Sequence, residues 1–170
     1  MLVLEPDAVV TLVNEWGTAP RVEAGESDSA FPPTEQVAPD VAFSDPDLVR
    51  VADLLHPLFA AESPVERIRI VDELLAGAGT TVRVALVDGH VRDGWVPASP
   101  RDALLVAALR TVHDMLVERG ADAIGTCEGA ACVDVWIDRP RGRPRRYCSD
   151  TCAGRARVTA FRRRRREEDV

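Results

Sequence analysis

Cys127-Glu128-Gly129-Ala130-Ala131-Cys132 and, further on, Cys148-Ser149-Asp150-Thr151-Cys152 hold the only four cysteines of the chain. They fall as two tight pairs, which is the layout of a tetrahedral zinc site: each short turn presents two thiolates, and little loop entropy is lost in closing the set. Between the pairs, Val133-Asp134-Val135-Trp136-Ile137 alternates like a strand. Gly142 and Pro144 mark a turn, and Arg145-Arg146-Tyr147 is expected to return antiparallel, so that a hairpin joins the pairs. Ser149 is a good N-cap and Asp150 a favourable anion in a first turn. A helix is therefore predicted from there to about Glu168, with Cys152 in its first turn, where free backbone N–H groups favour a thiolate. Knuckle, hairpin and helix make a treble-clef-like finger around one structural Zn²⁺.

The same region is strongly cationic. From Arg139 to Arg166 there are twelve arginines and one acid, Asp150. A rigid helix bearing such charge binds phosphates first and reads bases only where side chains reach a groove. The expected partner is double-stranded DNA, with Arg143, Arg145, Arg146, Arg155, Arg157, Arg162, Arg163 and Arg166 as candidate contacts. On a helix Arg155, Arg162 and Arg166 share a face, whereas Ala153, Ala156, Ala160 and Phe161 are expected to pack back on the hairpin and Trp136. The plainer reading is a solvated helix end, because Glu167-Glu168-Asp169 follow the arginine run directly. RNA is the weaker partner, since Trp136, Tyr147 and Phe161 are few aromatics for base stacking.

These residues resemble the CGNR zinc finger: Cys127 to Cys132, then Trp136-Ile137-Asp138, Arg145-Arg146-Tyr147-Cys148-Ser149 and Cys152-Ala153-Gly154-Arg155. That finger closes bacterial proteins carrying an ABATE domain, described as stress-induced transcription regulators. The upstream part is similar as well, in Leu12-Val13-Asn14 and in Trp95-Val96-Pro97-Ala98 leading into Asp102-Ala103-Leu104-Leu105. The departure lies in the naming motif, where Ala153-Gly154 stand in place of Gly-Asn. The resemblance implies an ABATE-like helical domain over residues 1–120 and a CGNR-like finger over 121–170. It also implies a role in transcription.

The net charge of −7 conceals a division. Residues 1–120 carry nine Arg against twenty acids, −11, and residues 121–170 carry twelve Arg against eight acids, +4. An acidic body with a basic end localises polyanion binding to that end. Lysine is absent, which reads as a coding bias rather than as function, although arginine is the better bidentate partner for phosphate and guanine. No apolar run is long enough to span a bilayer, and the N-terminus lacks the pattern of a secretory signal. A cytoplasmic location follows, and in reducing cytosol the cysteines are ligands rather than disulfides.

In chain order, Asp7 is expected to cap a first helix whose buried stripe includes Val9, Val10, Leu12, Val13 and Trp16, with Asn14 on its polar side. Residues 17–40 read as a long polar insertion without periodicity, a flexible loop. Asp45-Pro46-Asp47 opens a second helix that Pro57 ends or kinks, and Ser63-Pro64-Val65-Glu66 opens a third that Gly77 and Gly79 stop. Strands over 81–87 and 90–96 flank Asp88-Gly89, a type I′ hairpin signal. Ser99-Pro100-Arg101-Asp102 then starts the last helix before the finger. The fold class is α+β: a mainly helical N-terminal part with one β-hairpin, and the small finger.

His56, His90 and His113 have neither each other nor a cysteine at metal-ligand spacing, and no Gly-rich phosphate loop, H-E-x-x-H or G-x-S-x-G is present. An enzyme is not expected. The expected function is a zinc-dependent DNA-binding regulator whose N-terminal part dimerises, senses a ligand or contacts RNA polymerase or a sigma factor. Its rival is an adaptor whose arginine helix binds an acidic surface of the transcription machinery. A single finger binds weakly alone, which favours a homodimer.

Overall fold

The computed structural model describes residues 2–39, 41–138 and 144–168, with side chains to 165. It is α+β, with a helical N-terminal region, two β-hairpins and the cysteine cluster beside the C-terminal helix. Helices α1 (Pro6–Trp16), α2 (Thr18–Ala24), α3 (Asp45–Ala60) and α4 (Pro64–Gly77) precede the hairpin β1 (Thr81–Val87) and β2 (His90–Val96). Helix α5 (Ala103–Arg119), strands β3 (Ile124–Thr126) and β4 (Val135–Ile137), and helix α6 (Asp150–Glu168) complete the chain. No described helix is long and apolar enough to cross a membrane.

The core forms where the apolar stripes of α1, α3 and α5 meet. Leu12, Val13 and Trp16 from α1, Leu48, Val51, Leu55 and Leu58 from α3, and Leu109 and Val112 from α5 are fully buried. At roughly 1.5–3 kcal/mol per fully buried aliphatic side chain, this cluster is the main source of stability. Ser63 caps α4 as its sequence predicts, whereas α3 starts one residue earlier than Asp45-Pro46-Asp47 suggested, with Ser44 as its cap and Asp45 already helical. Pro6 takes an early position of α1, so Glu5 rather than Asp7 is the N-cap residue, and Asp7 lies in the first turn. Pro57 does not end α3, which continues to Ala60: burial of Leu58 and Phe59 outweighs the missing backbone hydrogen bond, and Pro57 itself is exposed.

Residues 17–40, expected to lack regular structure, carry α2 and a 3₁₀ turn at Thr34–Gln36, with Val37 and Ala38 buried. Arg21 organises them. Its buried guanidinium donates to the carbonyls of Glu15 (3.2 Å), Glu26 (2.7 Å) and Ser29 and lies 4.4 Å from the Phe31 ring centroid, while Phe31 stacks on Trp16. The carboxylate of Asp53 on α3 accepts from the Thr18 backbone N–H and hydroxyl, both at 2.7 Å, and so satisfies the start of α2.

The β1–β2 hairpin has the expected register, from Thr81 opposite Val96 to Val87 opposite His90, with Asp88 and Gly89 in the left-handed region that a type I′ turn requires. The second hairpin departs from expectation. Strand β4 pairs with β3, upstream of the first cysteine, and not with Arg145–Tyr147, which form no strand. Ile124, Val135 and Ile137 belong to the same buried cluster as α1, α3 and α5, so this hairpin is rooted in the main core. Gly125 is required there, because a Cβ would stand 2.7 Å from Cζ2 of Trp136.

Candidate metal centre

The first cysteine pair occupies the connection between β3 and β4. The ladder runs one step past β3, with the Cys127 N–H donating to Asp134 O at 2.8 Å. Ala131, in the left-handed region at φ 55°, then turns the chain so that Cys132 faces Cys127. The second pair is set by the start of α6: the Ser149 hydroxyl accepts from the Cys152 N–H at 3.3 Å, which fixes Cys152 in the first turn, as its spacing predicts. The Glu128 N–H donates to Arg146 O at 2.8 Å, and the Arg146 guanidinium grips the Glu128 carboxylate, so the segment before Cys148 is tied to the knuckle.

These elements bring the sulfurs of Cys127, Cys132, Cys148 and Cys152 within 4.8 Å of one another. Cys132 to Cys148 is 3.7 Å, Cys148 to Cys152 is 3.6 Å and Cys152 to Cys132 is 3.9 Å. A tetrahedron with Zn–S bonds of about 2.3 Å has edges of about 3.8 Å, so Cys132, Cys148 and Cys152 already stand at that spacing, with Cys127 within 4.8 Å of each. Contacts at disulfide range are absent, and all four cysteines are free. Four thiolates fill a tetrahedral zinc, leaving no position for a substrate; such a site is structural and not catalytic.

Electrostatics gives the cluster a reason to take a cation. Burial pushes the Cys132 thiol up to about 12 and raises Cys148 as well, whereas the Ser149 hydroxyl holds Cys152 below its ordinary value. Partly buried sulfurs this close cannot all ionise unless a multivalent cation replaces their protons. The Gly129 N–H donates to Cys127 Sγ at 3.3 Å, and a Cβ on Gly129 would lie 3.2 Å from that sulfur. The glycine therefore permits the turn to fold over the site, a role the spacing of the cysteines did not reveal.

Two other residues hold the knuckle on the helical region. The side-chain amide of Asn14 accepts from the Val135 N–H at 2.7 Å and donates to Val135 O at 3.1 Å, imitating a neighbouring strand along the free edge of β4. His56 Nε2 lies 2.9 Å from Val133 O, immediately after Cys132. The sequence places Asn14 on the polar side of α1, but only the fold gives it this partner. His113 instead contacts the Trp95 ring and the Asp114 carboxylate.

The candidate phosphate contacts divide. Arg155, Arg157 and Arg162 to Arg165 lie exposed along α6, and no described carboxylate pairs with Arg155, Arg157, Arg162 or Arg164. Arg146 is occupied by Glu128. Arg145 and Arg157 line a cavity of about 810 Å³ beside Ser149, at the positive end of α6. Arg143, with Arg139 and Arg141, lies outside the described residues, as does the Arg166 side chain. Ala156 and Ala160 face Glu128–Ala130 across a groove, but Phe161 does not pack back on Trp136: it is 54% exposed, with Arg165 beside its ring. Trp136 turns instead toward Gly125, its Nε1–H donating to Thr126 O at 2.9 Å.

No curated protein matches this chain. Residues 124–165 match the family described as the CGNR zinc finger. That stretch begins at β3, takes in all four sulfurs and ends within the arginine run of α6, and it is a CGNR zinc finger.

Proposed function

We propose that the protein is a zinc-dependent, DNA-binding transcription regulator of the cytoplasm, in which α6 lies against the phosphate backbone of double-stranded DNA. The observation that carries this reading is the row of exposed arginines, four of them without a described carboxylate partner, on a helix whose first turn supplies a thiolate to the metal centre. A helix fixed at one end by a metal keeps its charges in register, and arginines not already paired release counterions when they meet phosphate. The acidic remainder of the chain is repelled by the same polyanion, which directs docking to the finger. The helical N-terminal region is left to pair two fingers, to sense a ligand, or to contact RNA polymerase or a sigma factor.

Fluorescence anisotropy on a random duplex at two salt concentrations tests the proposal. The zinc-loaded protein binds at low salt with affinity falling steeply as salt rises. The double substitution Arg155→Glu/Arg162→Glu weakens binding at least about tenfold and flattens that slope. Salt-independent binding, or none at low salt, overturns the reading.

One feature favours the adaptor alternative: Val158 and Phe161 are about half exposed among these arginines. Apolar side chains contribute nothing to phosphate binding but would serve contact with an acidic protein surface. On that reading Phe161→Ala abolishes capture of the protein partner, and a random duplex is not bound.

A further inference from the structure

The β1–β2 hairpin is amphipathic, yet little in its own chain covers its apolar face. Val82, Val84 and Leu86 share that face with Val91, Asp93 and Trp95 across the ladder. Among the described residues only the base meets another element: Trp95 packs on His113 at 4.9 Å, and Asp93 bonds Arg110 of α5 at 2.6 Å. Toward the tip, Val84 is 69%, Leu86 73% and Val91 74% exposed. The opposite face carries Arg83 and Arg92, as a water-facing side should. An isolated two-stranded hairpin is marginal in water, and this one also leaves both edges unpaired among the described residues.

At the base of the same face lies an apolar groove of about 560 Å³ between the N-terminal segment, the end of β2 and α5, lined by Leu2, Val3, Leu4, Trp95, Val106 and Met115. Most of its polar side chains are already engaged within the chain, the exposed Glu5 being the exception among the described residues. Arg110 is held by Asp93 and Asp114, and the Thr111 hydroxyl donates to Leu4 O at 2.6 Å. Apart from Glu5 the groove therefore offers mainly apolar surface, and it suits another apolar surface.

We infer that this hairpin is a dimerisation arm: the apolar tip of each copy packs into the groove at the base of the other copy's arm. A second copy is the occupant that the surface itself specifies, because donor and acceptor patches lie on one chain and a two-fold axis joins them reciprocally. Arm and groove count twice in such a dimer, so the exposed Val84, Leu86 and Val91 and the groove are covered in both copies together. The inference stands apart from the DNA-binding proposal, since it concerns association without DNA.

Sedimentation equilibrium of the 170-residue, zinc-loaded chain at micromolar concentration, without DNA, tests it. The expected mass is twice 18.5 kDa. Leu86→Asp on the tip and Val3→Glu on the groove rim each raise the dissociation constant at least about 100-fold, since each buries an unpaired charge at both contacts. Circular dichroism and zinc content stay unchanged, because both side chains are exposed in the single chain. Mixing the two variants recovers part of the dimer, as one arm and one groove remain intact in the heterodimer. A monomeric wild type overturns the inference, including one that associates only with a different protein or a small molecule. So does a dimer indifferent to Leu86→Asp, and one that responds to Leu86→Asp but not to Val3→Glu, which would mean arms pairing with each other.

Discussion

Asn14 is the residue on which the finger's position turns. Val135 points both backbone polar groups at the outer edge of β4, and a side-chain amide meets both because it carries a donor and an acceptor side by side. Asn14→Asp keeps the shape and the acceptor but sets a carboxylate oxygen against Val135 O. The expected cost is about 1–3 kcal/mol, from one lost hydrogen bond and an unfavourable oxygen contact, read as a lower urea midpoint at neutral pH. The sign of its pH dependence is fixed. Repulsion from Val135 O favours the protonated carboxyl, while either form keeps the Val135 N–H, so the deficit is expected to be largest at neutral pH and to narrow on acidification, when a protonated carboxyl donates again. A deficit that widens on acidification would show that Asn14 is not acting as this donor.

At the scale of elements, what the sequence foretold depended on how local the cause was. Helices α3, α4 and α5 and the β1–β2 hairpin were legible because caps, apolar stripes and the Asp88-Gly89 turn act over a few residues. The cysteine quartet was legible for the same reason, each pair being closed by its own turn. The pairing of β4 was not: Arg145–Tyr147 lay at a plausible hairpin distance, but burial of Ile124, Val135 and Ile137 in the main core selects β3 as the partner. Nor was α2, a seven-residue helix too short to stand on propensity. It forms because Arg21 satisfies three carbonyls at once and the distant Asp53 carboxylate takes up its first N–H, a fit that no periodicity announces. Arg21→Ala is expected to cost about 2–4 kcal/mol, since charge-assisted bonds and the Phe31 contact go together. Hydrogen exchange over residues 18–38 should rise well before global unfolding; an increase spread evenly through the core would place the effect elsewhere.

For the whole molecule the question is how far the metal's influence extends. Structural zinc contributes about 10–16 kcal/mol of apparent binding free energy in finger peptides, more than a small element gains from its own burial. Helix α6 is exposed over most of its length, so it depends on the metal centre for its place. The β3–β4 hairpin does not. Its apolar side chains lie in the main core, Asn14 holds one edge, the Asp138 N–H donates to Ala123 O at 2.8 Å, and Arg119 donates to Asp138 O at 3.1 Å. The unit that melts on metal removal is therefore smaller than the basic segment 121–170. After complete chelation, exchange protection is expected to vanish from residues 127–133 and 144–168, while α1, α3, α5 and both strands of the second hairpin keep theirs. Peptide-resolved exchange with and without chelator checks this against two distinct failures. An α6 that stays protected would mean that the helix does not need the metal, and a β3–β4 hairpin that opens with it would mean that the core contacts do not hold the finger's root.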